Sequence, residues 1–170
     1  MKVTSALALS ALFAGVAAAQ TTAPIVVTNA QDAGDGSLRA AISQAAGTNA
    51  PSQIVIATNE DIVISESLVY QGEAPLEIIG NGQRVRTHEN THLFVSANGG
   101  SVAIGDLDFE GPGQFSILNR GDTNGDTAGK GIFIDVRDDQ TGVVELSLHD
   151  VSVKGVATHG IHVSDCTLAD

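Results

Sequence analysis

Apolar positions along the chain come in short alternating phrases. "IVVTN" starts at Ile25, "QIVIATN" at Gln53, "DIVIS" at Asp61 and "LEIIGNG" at Leu76. "HLFVS", "SVAIGDLDF", "GIFIDV", "VVELSLHDVSV" and "GIHVSDCTL" follow. Each is strand length, and most end in Gly, Asn or Asp, which punctuate strands with turns. Matched runs are not separated by two-residue Asn-Gly turns, so hairpins are not expected. One stretch departs from this period. After Ser37, a good N-cap, Leu38, Ala41, Ile42 and Ala45 fall on one helical stripe, and Gly47 is a plausible stop. A helix this short needs tertiary packing to persist in water.

Two phrases repeat. "VAIGDLDFEG" from Val102 and "LSLHDVSVKG" from Leu146 both read apolar-x-apolar-x-Asp-apolar-x-apolar-x-Gly, 44 residues apart. "IHVSDCTLAD" from Ile161 repeats the phrase without the glycine, and Gly-Ile-x-[Ile/Val] recurs at Gly131 and Gly160. Read as two windings of about 22, the spacing predicts a solenoid, whose coils bury their apolar faces only by stacking. Asp106, Asp150 and Asp165 are then expected where each strand bends. The end coil of a solenoid exposes its core, and the Leu38–Ala45 helix is expected to close it.

The start of the chain carries a different pattern. Met1-Lys2, an apolar run and Ala17-Ala18-Ala19 describe a secretory signal peptide over 1–19, too short to span a membrane. Export to the cell surface or outside the cell is the expected localisation, with no transmembrane segment. The domain reading is then 20–52 for the N-terminal cap and 53–170 for the stacked coils. Further coils of a longer chain are expected after Asp170.

Composition sharpens this. The 19 glycines exceed the roughly 12 expected at ordinary usage, while Trp is absent and Tyr occurs once. With 20 acidic residues against 8 basic, the chain lacks the basic patch that nucleic acid requires. The single Cys166 allows no internal disulfide, and its apolar repeat position predicts a buried thiol.

"VTNAQDAGDGSLRAAI", Val27 to Ile42, resembles the N-terminal signature of bacterial secreted right-handed parallel β-helix proteins of the polymorphic outer-membrane type. Some members carry Cys-Ser-Leu-Arg-Glu-Ala, where this chain has Gly36 and Ala40. "DLDFEG" and "GIHVSDCTL" resemble the repeats of pectin-lyase-like proteins. The fold expected is therefore all-β, a right-handed parallel β-helix with a short N-terminal capping helix. The resemblance implies a cell-surface or extracellular place and leaves catalysis open.

Four motifs carry candidate chemistry. "HENTH", His88 to His92, matches the zinc-protease pattern, which needs both histidines on one helical face. Its neighbours favour turn and strand, so no zinc site is expected. "DTNGDTAGK" places Asp122, Asn124 and Asp126 at alternating positions, like half a calcium loop, but Phe133 stands where the twelfth-position Glu belongs. Calcium is the one candidate cofactor, and none is required. Asp138 and Asp139, with His159 some 20 residues on, resemble the Asp-Asp and Gly-His-Gly of polygalacturonases. Hydrolysis with inversion needs two carboxyls separated by about 6.5–9.5 Å. Thr158 replaces the first glycine of that motif, and the family's Asn-Thr-Asp and Arg-Ile-Lys are missing. Arg84 and Arg86 are expected to pair with carboxylates, and His149 and His162 to be solvated. The leading expectation is a non-catalytic module binding polysaccharide or cell-surface glycan, with a polysaccharide hydrolase or lyase and an architectural stalk as rivals.

Overall fold

A computed structural model describes residues 23–113, 129–135 and 144–164. The predicted signal peptide lies outside them. Among the described residues, ten strands and one helix follow in this order: β1 (Ile25–Val27), α1 (Leu38–Ala46), β2 (Ser52–Ile56), β3 (Ile62–Ile64), β4 (Leu68–Tyr70), β5 (Leu76–Thr87), β6 (Phe94–Ser96), β7 (Val102–Glu110), β8 (Ile132–Asp135), β9 (Leu146–Lys154) and β10 (Ile161–Ser164).

Every pairing among the described strands is parallel. One sheet has six strands, in the order β1-β2-β5-β7-β9 with β3 beside β5; the other runs β10-β8-β6-β4. From β4 onward the chain alternates between the sheets, so each parallel neighbour is reached by a crossover. This accounts for the absence of hairpin turns among the described residues, since parallel strands cannot be joined by one.

The long strands of the first sheet share a device. In β7, Val102 and Ile104 are buried, then Leu107 and Phe109. A strict period of two would turn the second pair outward. Asp106 prevents this by adopting φ 51°, and Asp150 does the same in β9 at φ 50°. One left-handed residue shifts the alternation by one position, so both arms of the bent strand face the core. Asn81, at φ 56°, stands at the irregular step of β5 and donates from Nδ2 to the Ile56 carbonyl at 2.6 Å. Asn and Asp tolerate this conformation better than other side-chain-bearing residues.

A single apolar core collects side chains from both sheets and from α1, including Ile54, Ile78, Ile104, Tyr70, Phe94, Ile132, Leu38 and Ile42. Helix α1 forms as its stripe predicts. Ser37 Oγ accepts from the Ala40 amide, and Leu38, Ala41, Ile42 and Ala45 are the buried positions. The helix packs on β1, β2 and β4.

The expected all-β, right-handed parallel β-helix with a capping helix is corrected here. The molecule is an α/β-type arrangement of two all-parallel sheets with little helix, and the helix is part of the shared core. The winding arithmetic also fails. Val102 pairs directly with Leu146, so the interval of 44 is one crossover and not two windings of 22; Ser152 bonds Asp108 across that same interval. Elsewhere the steps between paired strands range from 23 residues, Ile62 to Val85, to 38, Phe94 to Ile132. The repeated phrases record a strand shape, two core-facing arms about a bend, which the long neighbours β5, β7 and β9 share. They carry no count of the chain between them.

Candidate functional site

The outer face of the four-stranded sheet bears a row of rings. Alternation along β8 buries Ile132 and Ile134 and turns Phe133 outward. Register places Phe133 beside Val95 of β6 and His162 of β10. The His162 ring stacks on Phe133 with centroids 5.1 Å apart and planes 19° from parallel. His159, in the turn before β10, stacks on His162 at 4.8 Å. At the other end His92, just before β6, tilts against Phe133 at 5.6 Å. The Lys130 ammonium stands 3.9 Å from the Phe133 centroid, although its residue is only 6% exposed. Rings and cation form a continuous line, each at a separation where stacking and cation–π attraction act.

Backbone contacts hold this line. The His92 Nδ1 accepts from the Lys130 amide at 3.1 Å, and Asn90 Oδ1 accepts from the Gly129 amide at 2.9 Å. His159 and Gly160 carbonyls accept from the amides of Gly131 and Ile132. Burial, reinforced by the charges of Lys130 and His159 and partly opposed by Asp135, holds His162 below the ordinary histidine value of 6.5. At neutral pH it is therefore an uncharged ring with a hydrogen-bonding edge.

"HENTH" contributes through this row. Residues 88–91 form bends after β5 and His92 is irregular, with no helix, so the zinc-protease geometry is absent there. His88 and Glu89 are exposed, and the Glu89 amide donates to Thr87 Oγ1 at 3.0 Å. His159, named with Asp138 and Asp139, is exposed at the end of the row. Asp138 and Asp139 lie outside the described residues, as do Asp122, Asn124, Asp126 and Cys166. His162 departs from expectation, being half-buried between two rings, whereas His149 is exposed. The clue was the register of Gly-Ile-x-[Ile/Val], which sets Phe133 and His162 at equivalent positions.

Arg84 and Arg86 do pair with carboxylates. Arg84 Nε lies 3.2 Å from Glu110 Oε2, and both guanidinium groups reach Asp61 at 3.8 and 3.9 Å. Lys154 joins Glu110 from β9 at 3.4 Å. Charges of alternating sign thus cross the outer face of the first sheet, a stabilising cross-strand arrangement.

Asp106, His149 and Asp150, at the bends of β7 and β9, bring three ligand atoms within 4.8 Å of one another. All three residues are exposed, and His149 Nδ1 lies 3.1 Å from Asp150 Oδ2. The cluster follows from the stacked bends.

Arg39, in the Gly-Ser-Leu-Arg-Ala-Ala-Ile stretch, is wholly occupied by the fold. Its guanidinium grips Asp32 and donates to the Ser67 carbonyl at 2.7 Å and the Glu66 carbonyl at 2.8 Å. No family model matches the chain, and neither a curated protein nor a solved structure matches it. Among the described residues, no helix is long and apolar enough to cross a membrane.

Proposed function

We propose that this chain is an exported, non-catalytic module that binds glycans of a cell surface or its surroundings through the outer face of the four-stranded sheet. The observation that carries this reading is the line His92–Phe133–His162–His159. Its rings follow one another at 4.8 to 5.6 Å, Phe133 and His162 on neighbouring strands and His92 and His159 in the segments leading into β6 and β10. A polymer with a repeated polar unit suits a surface with repeated polar edges, and ring bodies add apolar contact without side-chain flexibility. Rigid strands fix the spacing, so little ordering entropy is lost on binding.

A glycan array probed with the secreted form tests this. Binding to at least one glycan class, weakened tenfold or more by Phe133→Ala in a protein that keeps its circular dichroism, is the expected result. An array without binding supports the architectural stalk. New reducing ends from a polysaccharide, lost in Asp139→Asn, would replace binding by hydrolysis.

A further inference from the structure

The ring row carries a cation, Lys130, that a neutral sugar does not need. In a chain with 20 acidic and 8 basic residues, the Lys130 ammonium stands over Phe133, and His162 stacks between Phe133 and His159. The charged and titratable groups that act on His162 are Lys130 from the segment entering β8, His159 from the turn before β10, and Asp135 at the end of β8. His92 reaches the row through Phe133. Between them, β6 contributes only Phe94, Val95 and Ser96, none ionisable. Asp135 is engaged by Ser164 Oγ at 2.9 Å. The His162 Nδ1 is buried and lacks a hydrogen-bond partner.

Resting on the glycan-binding reading, we infer that Lys130, His159 and His162 form a proton-coupled anion site, taking an acidic group of the glycan, carboxylate or sulfate, together with a proton on His162. His162 lies between Phe133 and the exposed His159 ring, its centroid 4.8 Å from that of His159, and burial and repulsion by the Lys130 ammonium resist its protonation. An anion at the exposed His159 edge cancels that repulsion. Its arrival favours protonation, and protonation favours the anion by the same factor, because linkage between two ligands is reciprocal. A neutral sugar has no such leverage. The site therefore fills in mildly acid surroundings and empties at neutral pH.

The full secreted chain is titrated calorimetrically with polygalacturonate, dextran sulfate and uncharged dextran at about pH 5.5 and about pH 7.5, on either side of the histidine range. Two buffers of different ionisation enthalpy report the protons exchanged. The expected result is that polygalacturonate, dextran sulfate or both bind about tenfold tighter at the lower pH, with net proton uptake, and the pattern separates carboxylate from sulfate. His159→Gln, which removes the exposed edge that meets the anion, should remove most of the acid gain, and Lys130→Met should weaken anion binding at both pH values. Both substitutions avoid the ring stacked on Phe133, which protects the fold. Equal affinity at the two pH values, no proton uptake, or an equal acid gain with dextran overturns the coupling and leaves glycan binding standing. An acid gain that survives His159→Gln, or binding unchanged by Lys130→Met, also overturns it, by placing the anion elsewhere. Failure of all three polymers and of the glycan array at both pH values overturns the glycan reading itself.

Discussion

At the scale of the residue, most of the chemistry near the N-terminus is spent on folding. Arg39 donates to Asp32 and to two backbone carbonyls of the turn between β3 and β4. A planar guanidinium reaches all of them at once, whereas a lysine ammonium cannot. Arg39→Lys is expected to cost about 2–3 kcal/mol, read from urea unfolding, because it strands hydrogen-bonding groups in a half-buried site. Asp32 adds a pH signature. Burial alone would raise its pKa, but donors from Ser65 and Arg39 outweigh it and leave the carboxyl below 3.8. A depressed carboxyl pKa contributes stability that is complete above its ordinary value and lost as pH falls through the folded one. The unfolding midpoint should therefore carry an acid-side decline below about pH 4 that Asp32→Asn diminishes. Near neutrality Asp32 should contribute no slope.

At the scale of the element, two local devices decide where strands and helix point. The Ser37 hydroxyl is fully buried, accepts from the Ala40 amide at 3.2 Å and donates to the Gly34 carbonyl at 2.7 Å. Ser37→Ala should lower stability by about 1–2 kcal/mol, measured by thermal unfolding, as expected for loss of an N-cap. The bend residues permit a sharper comparison. Asp106 holds φ 51° without the freedom of glycine. Asp106→Gly should be neutral or mildly stabilising, and Asp106→Val should cost about 1–2 kcal/mol, since a β-branched side chain clashes in that region. Equal effects of the two would show that the bend does not depend on the left-handed residue. Gly80 makes the complementary point: a Cβ there would collide with the Asp106 carbonyl and Leu107 of the next strand. The close approach of β5 and β7 at the bend requires its hydrogen.

At the scale of the whole molecule, the architecture sets rate and pH response. Neighbouring strands are joined by long crossovers, the longest described interval being 44 residues. Loop-closure entropy is thus spent before pairing is rewarded. Refolding from urea, followed by stopped-flow, should take milliseconds to seconds and not microseconds. The histidine row imposes an acid limit. His162 is held below 6.5 by burial and by neighbouring cations. In acid the unfolded chain then takes up protons that the native state resists, so stability declines as pH falls below about 6.5. His162→Phe should flatten the urea-midpoint profile between about pH 7 and 5. A flat profile in the parent protein would show that the ring is solvated and titrates freely.

Some of this was written in the sequence. The helix could be read from Ser37, Leu38, Ala41, Ile42 and Ala45, because cap and stripe are local properties. The bends at Asp106 and Asp150 were legible because the chain slips its alternation there, and the arginine–carboxylate pairing followed from charge balance. Partnership was not written in it. The phrases at Val102 and Leu146 announced equal shapes, but whether one crossover or two windings separated them depended on which edges met. The ring row was hidden for the same reason. His92, Phe133, His159 and His162 are scattered along the chain, and each alone looks like an ordinary outward residue. Alternation decides which face a side chain takes, a matter of neighbours one and two positions away. Which rings then lie together is decided by the register of parallel strands, a matter of hydrogen bonds between residues dozens of positions apart, and only the folded sheets bring those together.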